Sequence, residues 1–376
     1  MVKKQLLYIA FLLLFLTGCS NLKSKQQEKE STNGYARNFQ IEDNDPVKKL
    51  TVYNPWEKAQ NISLEYYLLN KKHAVPDSLS GKKIIRTPVE RVICLSTTHI
   101  AYLDVLNETD AVVGISGSRY ISNEKIRKKT AASEVVDAGY GQNLNFELIV
   151  SQKPDLVMAY GVGSEVTSYT LKLEELGIPV VMVAEYLEKS PLGKLEWIKF
   201  VGTLFEKEKE AVEFFNEAEQ EYLALEKMAA GQPNKPKVLV GSPYKDSWWV
   251  PGANSYMANL IKDAGGDYLG KANPSHESYV ISFEHALAWA GEADVWINMG
   301  NMSSKEEIRL ADNRFANFGV FNNGKLYNNT KRLSEHGGND FWESGTVYPH
   351  LVLRDLMLIF HPALIDAEMV YYQEIK

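Results

Sequence analysis

Apolar residues gather along most of this chain in short runs, each closed by a loop carrying Gly, Ser or Tyr and followed by a stretch of helical spacing. The runs at 92–95, 111–115, 156–159 and 180–183 form one group, and those at 238–240, 248–250, 295–298 and 325–327 form a second. Strands alternating with helices predict parallel sheets covered on both faces. An earlier pair of runs, 50–53 and 62–67, predicts a hairpin that decorates the first group.

One unit occurs twice. Asn145-Phe146-Glu147 leads through a helical segment into Lys153-Pro154-Asp155-Leu156-Val157-Met158, and Ser282-Phe283-Glu284 leads into Glu292-Ala293-Asp294-Val295-Trp296-Ile297. Asn145 and Ser282 suit helix N-caps, and the acidic residue that follows suits the positive end of the helix. The repeat points to two lobes of related architecture. Between them Ser190-Pro191 opens a first helix to about residue 205. A second, 207–230, carries Val212, Phe215, Ala218, Tyr222 and Leu225 as one apolar stripe and stops at Gly231-Gln232-Pro233. At ~1.5 Å per residue it is roughly 35 Å long, enough to cross from one lobe to the other. The predicted class is therefore α/β, with two lobes of mainly parallel sheets flanked by helices and joined by a single rigid interdomain helix that opposes large hinge closure. The lobes fall at 48–189 and 232–376, with connecting helices over 190–231.

The N-terminus follows a different pattern. Lys3 and Lys4 precede an uninterrupted apolar run, 6–16, that ends in Leu16-Thr17-Gly18-Cys19. About 11 residues cannot span the ~30 Å hydrocarbon core, so 1–18 reads as a signal peptide. The residues before Cys19 resemble a bacterial lipobox, which implies cleavage before Cys19 and lipidation of its thiol. Residues 19–47 are then a lipid-anchored flexible tether, polar and without an apolar period in its first half. The expected location is outside the cytoplasm, anchored to a bacterial membrane, facing the periplasm if the cell is Gram-negative.

Composition narrows the partners. Of 376 residues, 45% are hydrophobic and 24% charged, which excludes a disordered chain and a polytopic membrane protein. Net charge is −7, and loss of Lys3 and Lys4 with the leader makes it −9, so nucleic acid is not an expected partner. The two cysteines, Cys19 and Cys94, exclude a disulfide framework, and Cys94 lies in an apolar run where a buried thiol is the expectation.

Catalytic signatures are missing from the sequence. There is no G-x-S-x-G, P-loop, G-x-G-x-x-G opening a helix, or H-E-x-x-H, and the seven histidines include no pair at helical spacing. No cofactor, metal site or enzymatic activity is expected. What stands out is aromatic residues where a strand gives way to a loop: Tyr160, Tyr186, Tyr244, Trp248, Trp249 and Trp342. Ligands of open α/β sheets bind beyond the carboxyl ends of the strands, and Tyr and Trp there suit a bulky planar ligand. For Trp248 and Trp249, strand alternation sends one inward and the other to the cleft.

Several segments, in order along 85–365, carry a resemblance. They are Arg91-Val92-Ile93-Cys94-Leu95-Ser96, Lys153-Pro154-Asp155-Leu156-Val157, Leu176-Gly177-Ile178-Pro179-Val180, Pro251-Gly252-Ala253-Asn254-Ser255 and Asp263-Ala264-Gly265-Gly266-Asp267, with the lipobox ahead of them. Phe341-Trp342-Glu343-Ser344-Gly345 and Leu353-Arg354-Asp355-Leu356 extend it. Together they resemble the class III solute-binding proteins of ABC importers for iron–siderophores, haem and cobalamin. The resemblance implies capture of a ligand between the lobes by Ser96, Thr97, Thr98, His99, Arg119 and Tyr120 on one side. Tyr244, Trp248 and the loop after Asn298 would face it from the other, with Lys331, Arg332 and His336 at the rim. Arg119, Lys331 and Arg332 would pair with an anionic ferric chelate. The family's two permease-docking glutamates have no direct match, and Asp104 and Asp263 are the nearest candidates. The implied function is a monomeric, membrane-anchored binder of a ferric siderophore serving an ABC permease and its ATPase. The same role for haem or cobalamin is the alternative, and a lipid-anchored enzyme on the same scaffold a more distant one.

Overall fold

The apolar runs at Val92–Cys94, Val112–Ile115 and Leu156–Ala159 are buried at every position, as strands covered on both faces must be. With Val136–Asp137 and Val180–Met182 they form a five-stranded parallel sheet. Its order is 136–137, 112–115, 92–94, 156–159, 180–182. The second sheet runs Asp267–Tyr268, Lys237–Val240, Val295–Ile297, Lys325–Asn328 and Gln373–Glu374, parallel except for the last strand. The two-lobed α/β class expected from the alternation is the one present. The computed structural model describes residues 33–244 and 247–376. The leader, Cys19 and the tether to residue 32 lie outside them, as do Lys245, Asp246 and the side chains of Gln142 and Tyr244. Among the described residues no helix is long and apolar enough to cross a membrane.

The repeated unit occupies the same place in both sheets. Asn145 caps Phe146–Ser151 by accepting from Leu148 N at 3.0 Å, and Ser282 caps Phe283–Glu292 by accepting from His285 N at 3.2 Å. The aspartate after each helix ties its strand to the lobe's first strand. Asp155 accepts from Glu90 N and Arg91 N (2.9 and 3.2 Å), and Asp294 accepts from Lys237 N (2.8 Å). In both sheets the chain steps to opposite sides of that first strand, and a crevice opens there between the strand ends.

Helices Pro191–Leu204 and Glu208–Ala230 join the lobes. Ser190 Oγ accepts from Gly193 N at 3.0 Å, with Pro191 in the first turn. The buried stripe of the second helix is Ala211, Phe215, Ala218, Tyr222 and Ala229, so the expected Val212 falls just off it and is exposed. At one end Glu208 pairs with Lys48, and toward the other Tyr222 donates to Asp263 Oδ2 at 2.7 Å. The helix therefore touches both lobes. The last helix, Pro349–Phe360, lies against it, with Tyr348 edge-on to Phe214.

The predicted hairpin is part of a larger accessory sheet, Phe39–Asn44, Val47–Tyr53, Ser63–Asn70 and Ile84–Thr87. Residues 33–44, expected in the tether, are ordered onto the linking helix. Glu196 accepts from the backbone N–H groups of Gly34, Tyr35 and Ala36, and Glu188 from those of Arg37 and Asn38. Phe39 then packs against Trp197 and Phe200. Those partners lie some 150 residues away, so no local pattern announces the strap. Cys94 is in the core, where burial pushes its thiol pKa up, as the apolar run suggested.

Candidate ligand-binding cleft

The first lobe offers its wall at the crevice between Val92–Cys94 and Leu156–Ala159. Ser96 caps helix Thr97–Val105, and its Oγ lies 2.8 Å from Thr98 Oγ1. Thr98 donates in turn to Glu185 Oε1 at 2.6 Å. Glu185 follows the edge strand, is buried, and has its pKa raised by desolvation, with Thr98 and Lys194 working in the other direction. Beyond Leu156–Ala159 the Tyr160 hydroxyl sits 3.1 Å from that of Tyr140, and Tyr160 meets Tyr186 edge-on. Leu95, Ser116, Tyr140, Leu144, Tyr160 and Glu165 are among the residues that line a small open hollow here, of about 140 Å³. Ser96, Thr97, Thr98, Tyr160 and Tyr186 are thus gathered on one wall, each partly accessible.

Arg119 and Tyr120 stand at its edge. The Arg119 guanidinium lies 4.5 Å from the Tyr120 ring centroid and also bonds its hydroxyl. Gly117, in the left-handed region at φ 69°, brings the turn against Tyr120 and Tyr140.

His99 does not belong to this surface. It is completely buried beneath Tyr160, and desolvation drives its pKa down to about 3, so it is a neutral core group. It is the third residue of a helix whose first two residues are partly accessible, and helical rotation carries it inward. Trp248 is also core. It stacks with Trp296 and Phe318 and donates to Val240 O at 3.2 Å, whereas Trp249 is 52% exposed. The alternation predicted which way each could turn, and only Trp249 is free to touch a ligand. Asn298 takes φ 58° and points inward, its Nδ2 3.2 Å from Met257 Sδ. It shapes the loop rather than lining the cleft.

The segment after Lys325–Asn328 closes one end. Arg332 pairs with Asp340 at 3.0 Å, Lys331 donates to Met369 O, and His336 is exposed on the intervening turn. A Cβ on Gly338 would sit 2.2 Å from Tyr120 O, so only glycine allows this approach to the first lobe. Glu343 crosses to accept from Ser122 N and Asn123 N, both at 2.8 Å. Burial, and then the nearby Asp340 and Asp104, hold its pKa up at about 7 against those two hydrogen bonds. Trp342 beside it is 53% exposed. Tyr120, Tyr140, Trp249 and Trp342 are the exposed aromatics among the described residues; Tyr120 and Tyr140 follow strands, Trp249 lies within Ser247–Val250, and Trp342 lies in a turn 14 residues past Asn328, the end of the nearest strand, rather than at a strand end as expected.

Sequence reasoning missed Tyr140, Glu165, Glu185 and Glu343. Tyr140 follows a two-residue strand too short to notice, while Glu185 and Glu343 sit beside the chosen Tyr186 and Trp342. Among the described residues no three His, Cys, Asp or Glu side chains are placed to hold a metal.

A family model described as periplasmic binding protein matches residues 92–332. The chain belongs to that family. Its members are binding proteins that work outside the cytoplasm. An uncharacterized lipoprotein of Methanocaldococcus jannaschii is 27% identical over 98% of this chain and 96% of its own. A possible iron-binding periplasmic solute-binding protein of Staphylococcus epidermidis superposes with a TM-score of 0.56 at 18% identity, covering 72% of this chain and 98% of that one. A periplasmic heme binding protein of Pseudomonas aeruginosa gives 0.57 at 15% identity, over 77% and 98%. At such identities these two share the fold.

The docking candidates of this periplasmic binding protein differ from each other. Asp104 is exposed, near Glu343, in an open polar recess shared with Arg127 and Arg332. Asp263 is half-buried and bonded to Tyr222, and burial raises its pKa. It is committed to the linking helix, which makes it a poor partner for a permease arginine.

Proposed function

We propose that this chain is a lipid-anchored capture subunit that takes a ferric siderophore into the cleft and delivers it to an ABC permease. The observation that carries the reading is the wall at the first lobe's crevice, where Tyr140, Tyr160, Ser116 and Tyr169 line an open hollow, with Tyr186 edge-on to Tyr160 and the Ser96–Thr98 hydroxyls at the same strand ends. Flat faces and hydroxyls at strand ends suit a bulky, partly apolar chelate, and the exposed Trp249 and Trp342 offer further flat faces for it. Attachment runs through Cys19, consistent with the lipoprotein name of the relative, and Asp104 is the docking carboxylate. Delivery makes and breaks no covalent bond.

Haem is the second reading, favoured by the paired phenols of Tyr140 and Tyr160, which resemble in kind the tyrosinate that some haem proteins use as an axial ligand. Titration of the detergent-solubilised full chain decides between them. A ferric siderophore is expected to quench tryptophan fluorescence saturably at micromolar concentration. Haem binding would instead give a shifted Soret band, and cobalamin a quench without iron. No saturable binding of a ferric siderophore below millimolar concentration refutes the proposal.

A further inference from the structure

We infer that the ligand turns a neutral or positively charged face to the first lobe, so that among iron chelates the protein takes a hydroxamate-type complex in preference to an anionic catecholate. The inference rests on the reading of the cleft as a chelate site and specifies its chemistry.

The direction of the hydrogen bonds decides it. Four hydroxyls of the first lobe, Ser116 and Tyr169 lining the hollow and Thr98 and Tyr186 beside it, spend their hydrogens on the protein itself. Thr98 donates to Glu185 at 2.6 Å, Ser116 to Gly139 O at 2.7 Å, Tyr186 to Gly161 O at 2.7 Å, and Tyr169 to Tyr160 O. A hydroxyl has one hydrogen and two lone pairs, so what these groups can still offer a ligand is lone pairs. An anion needs donors, and these four groups have none left to give; of the lining hydroxyls only the Tyr140–Tyr160 pair keeps one hydrogen to offer.

Formal charge agrees. Among the residues lining the hollow, Glu165 is the one carboxylate, and there is no Lys, Arg or His. Glu185 lies behind Thr98 with its Oε2 buried and without a hydrogen-bond partner. The cations that an anionic chelate would need are engaged. Arg332 is paired with Asp340, Lys331 with Met369 O, and Arg119 with the ring and hydroxyl of Tyr120. Lys194 places its ammonium 4.2 Å from the Tyr256 ring centroid, on the linking-helix side. Tyr140, 62% exposed, adds an electron-rich face that attracts a cation and is indifferent to a neutral ligand.

The test uses the full-length chain in detergent and three probes followed by tryptophan fluorescence and calorimetry. These are a neutral ferric trihydroxamate, a ferric trihydroxamate bearing a free ammonium, and a trianionic ferric tricatecholate. At least one trihydroxamate is expected to bind about tenfold or more tighter than the tricatecholate, about 1.4 kcal/mol. Glu165→Lys is expected to narrow that gap by improving tricatecholate binding, and Glu165→Gln to narrow it less. A tricatecholate that binds as tightly as the trihydroxamates, or a gap unmoved by Glu165→Lys, overturns the inference while the chelate-binding reading stands. Failure of all three probes to bind removes that reading, and the inference with it.

Discussion

Glu343 sets up a measurable conflict. Its carboxylate is 3% exposed and receives two backbone N–H groups from the other lobe, yet its pKa is held at about 7. An acid whose folded pKa is raised stabilises the fold fully below its unfolded pKa, near 4.5, and loses that contribution as pH rises through about 7. Between pH 8 and pH 5, protonation of this one group therefore favours the folded state by about 2 to 3 kcal/mol, at 1.36 kcal/mol per pKa unit. His99 works in the opposite sense. Its folded pKa is depressed from 6.5 to about 3, so the unfolded chain takes up a proton that the folded chain refuses as pH falls below 6.5. Over the same interval that costs about 2 kcal/mol. The two contributions nearly cancel in the wild type.

The variant Glu343→Gln keeps the shape and removes the titration. Its urea-unfolding free energy, measured at pH 5 and pH 8, is expected to fall on acidification by about 2 to 3 kcal/mol relative to the wild-type response. Absolute stability does not enter, because the amide changes the hydrogen bonds to Ser122 and Asn123 equally at both pH values. Equal pH responses for wild type and variant would refute the argument that Glu343 titrates inside the interlobe contact.

The complementary variant His99→Phe is expected to gain about 2 kcal/mol over wild type on acidification from pH 8 to pH 5, read by the same urea titrations. Trp248→Ala is expected to lose about 3 to 5 kcal/mol of stability by leaving a cavity against Trp296 and Phe318. Trp249→Ala is expected to leave the urea midpoint nearly unchanged and to remove most of the ligand-induced quench. Glu196→Ala strands three buried or half-buried N–H groups of the strap and should speed hydrogen exchange at residues 34–36, with little change at 92–95. Small-angle scattering is expected to show a radius of gyration that changes by less than about 1 Å on ligand saturation, since hinge closure would have to break packed helices.

Much of this was legible because it is local. Strand and helix alternation, the Asn145 and Ser282 caps and the Pro191 start are each written within a few residues, and each is where its pattern placed it. The Trp248–Trp249 alternation told that one ring would face inward, although not which. What escaped depends on partners far along the chain. The strap is held by Glu188 and Glu196 from beyond residue 180, and the wall needs Tyr140 beside Tyr160. His99 and the loop after Asn298 come from the family resemblance, which gives the right loops but says nothing about which way a side chain turns. His99 is carried inward by its helix, and Asn298 by its left-handed backbone.

The cross-ties bear on how a ligand is held. The lobes meet through the linking helices, through Glu343 on the N-terminus of helix Glu124–Ala131, and through Gly338 against Tyr120. The strap adds a fixed point on Pro191–Leu204, the helix that any rotation between the lobes would have to tilt. Packed helices and buried carboxylates move between discrete arrangements rather than bending smoothly, so a ligand cannot draw the lobes together by small increments. Fit must come from the wall itself. That is why the orientation of a few hydroxyls, each fixed by a partner inside the first lobe, has the leverage to choose between chelates of similar size. The same rigidity gives the bound state nearly the shape of the free one. A permease reading such a carrier would then sense ligand through the rim, where Tyr120, Trp249 and Trp342 are exposed, more than through the separation of the lobes.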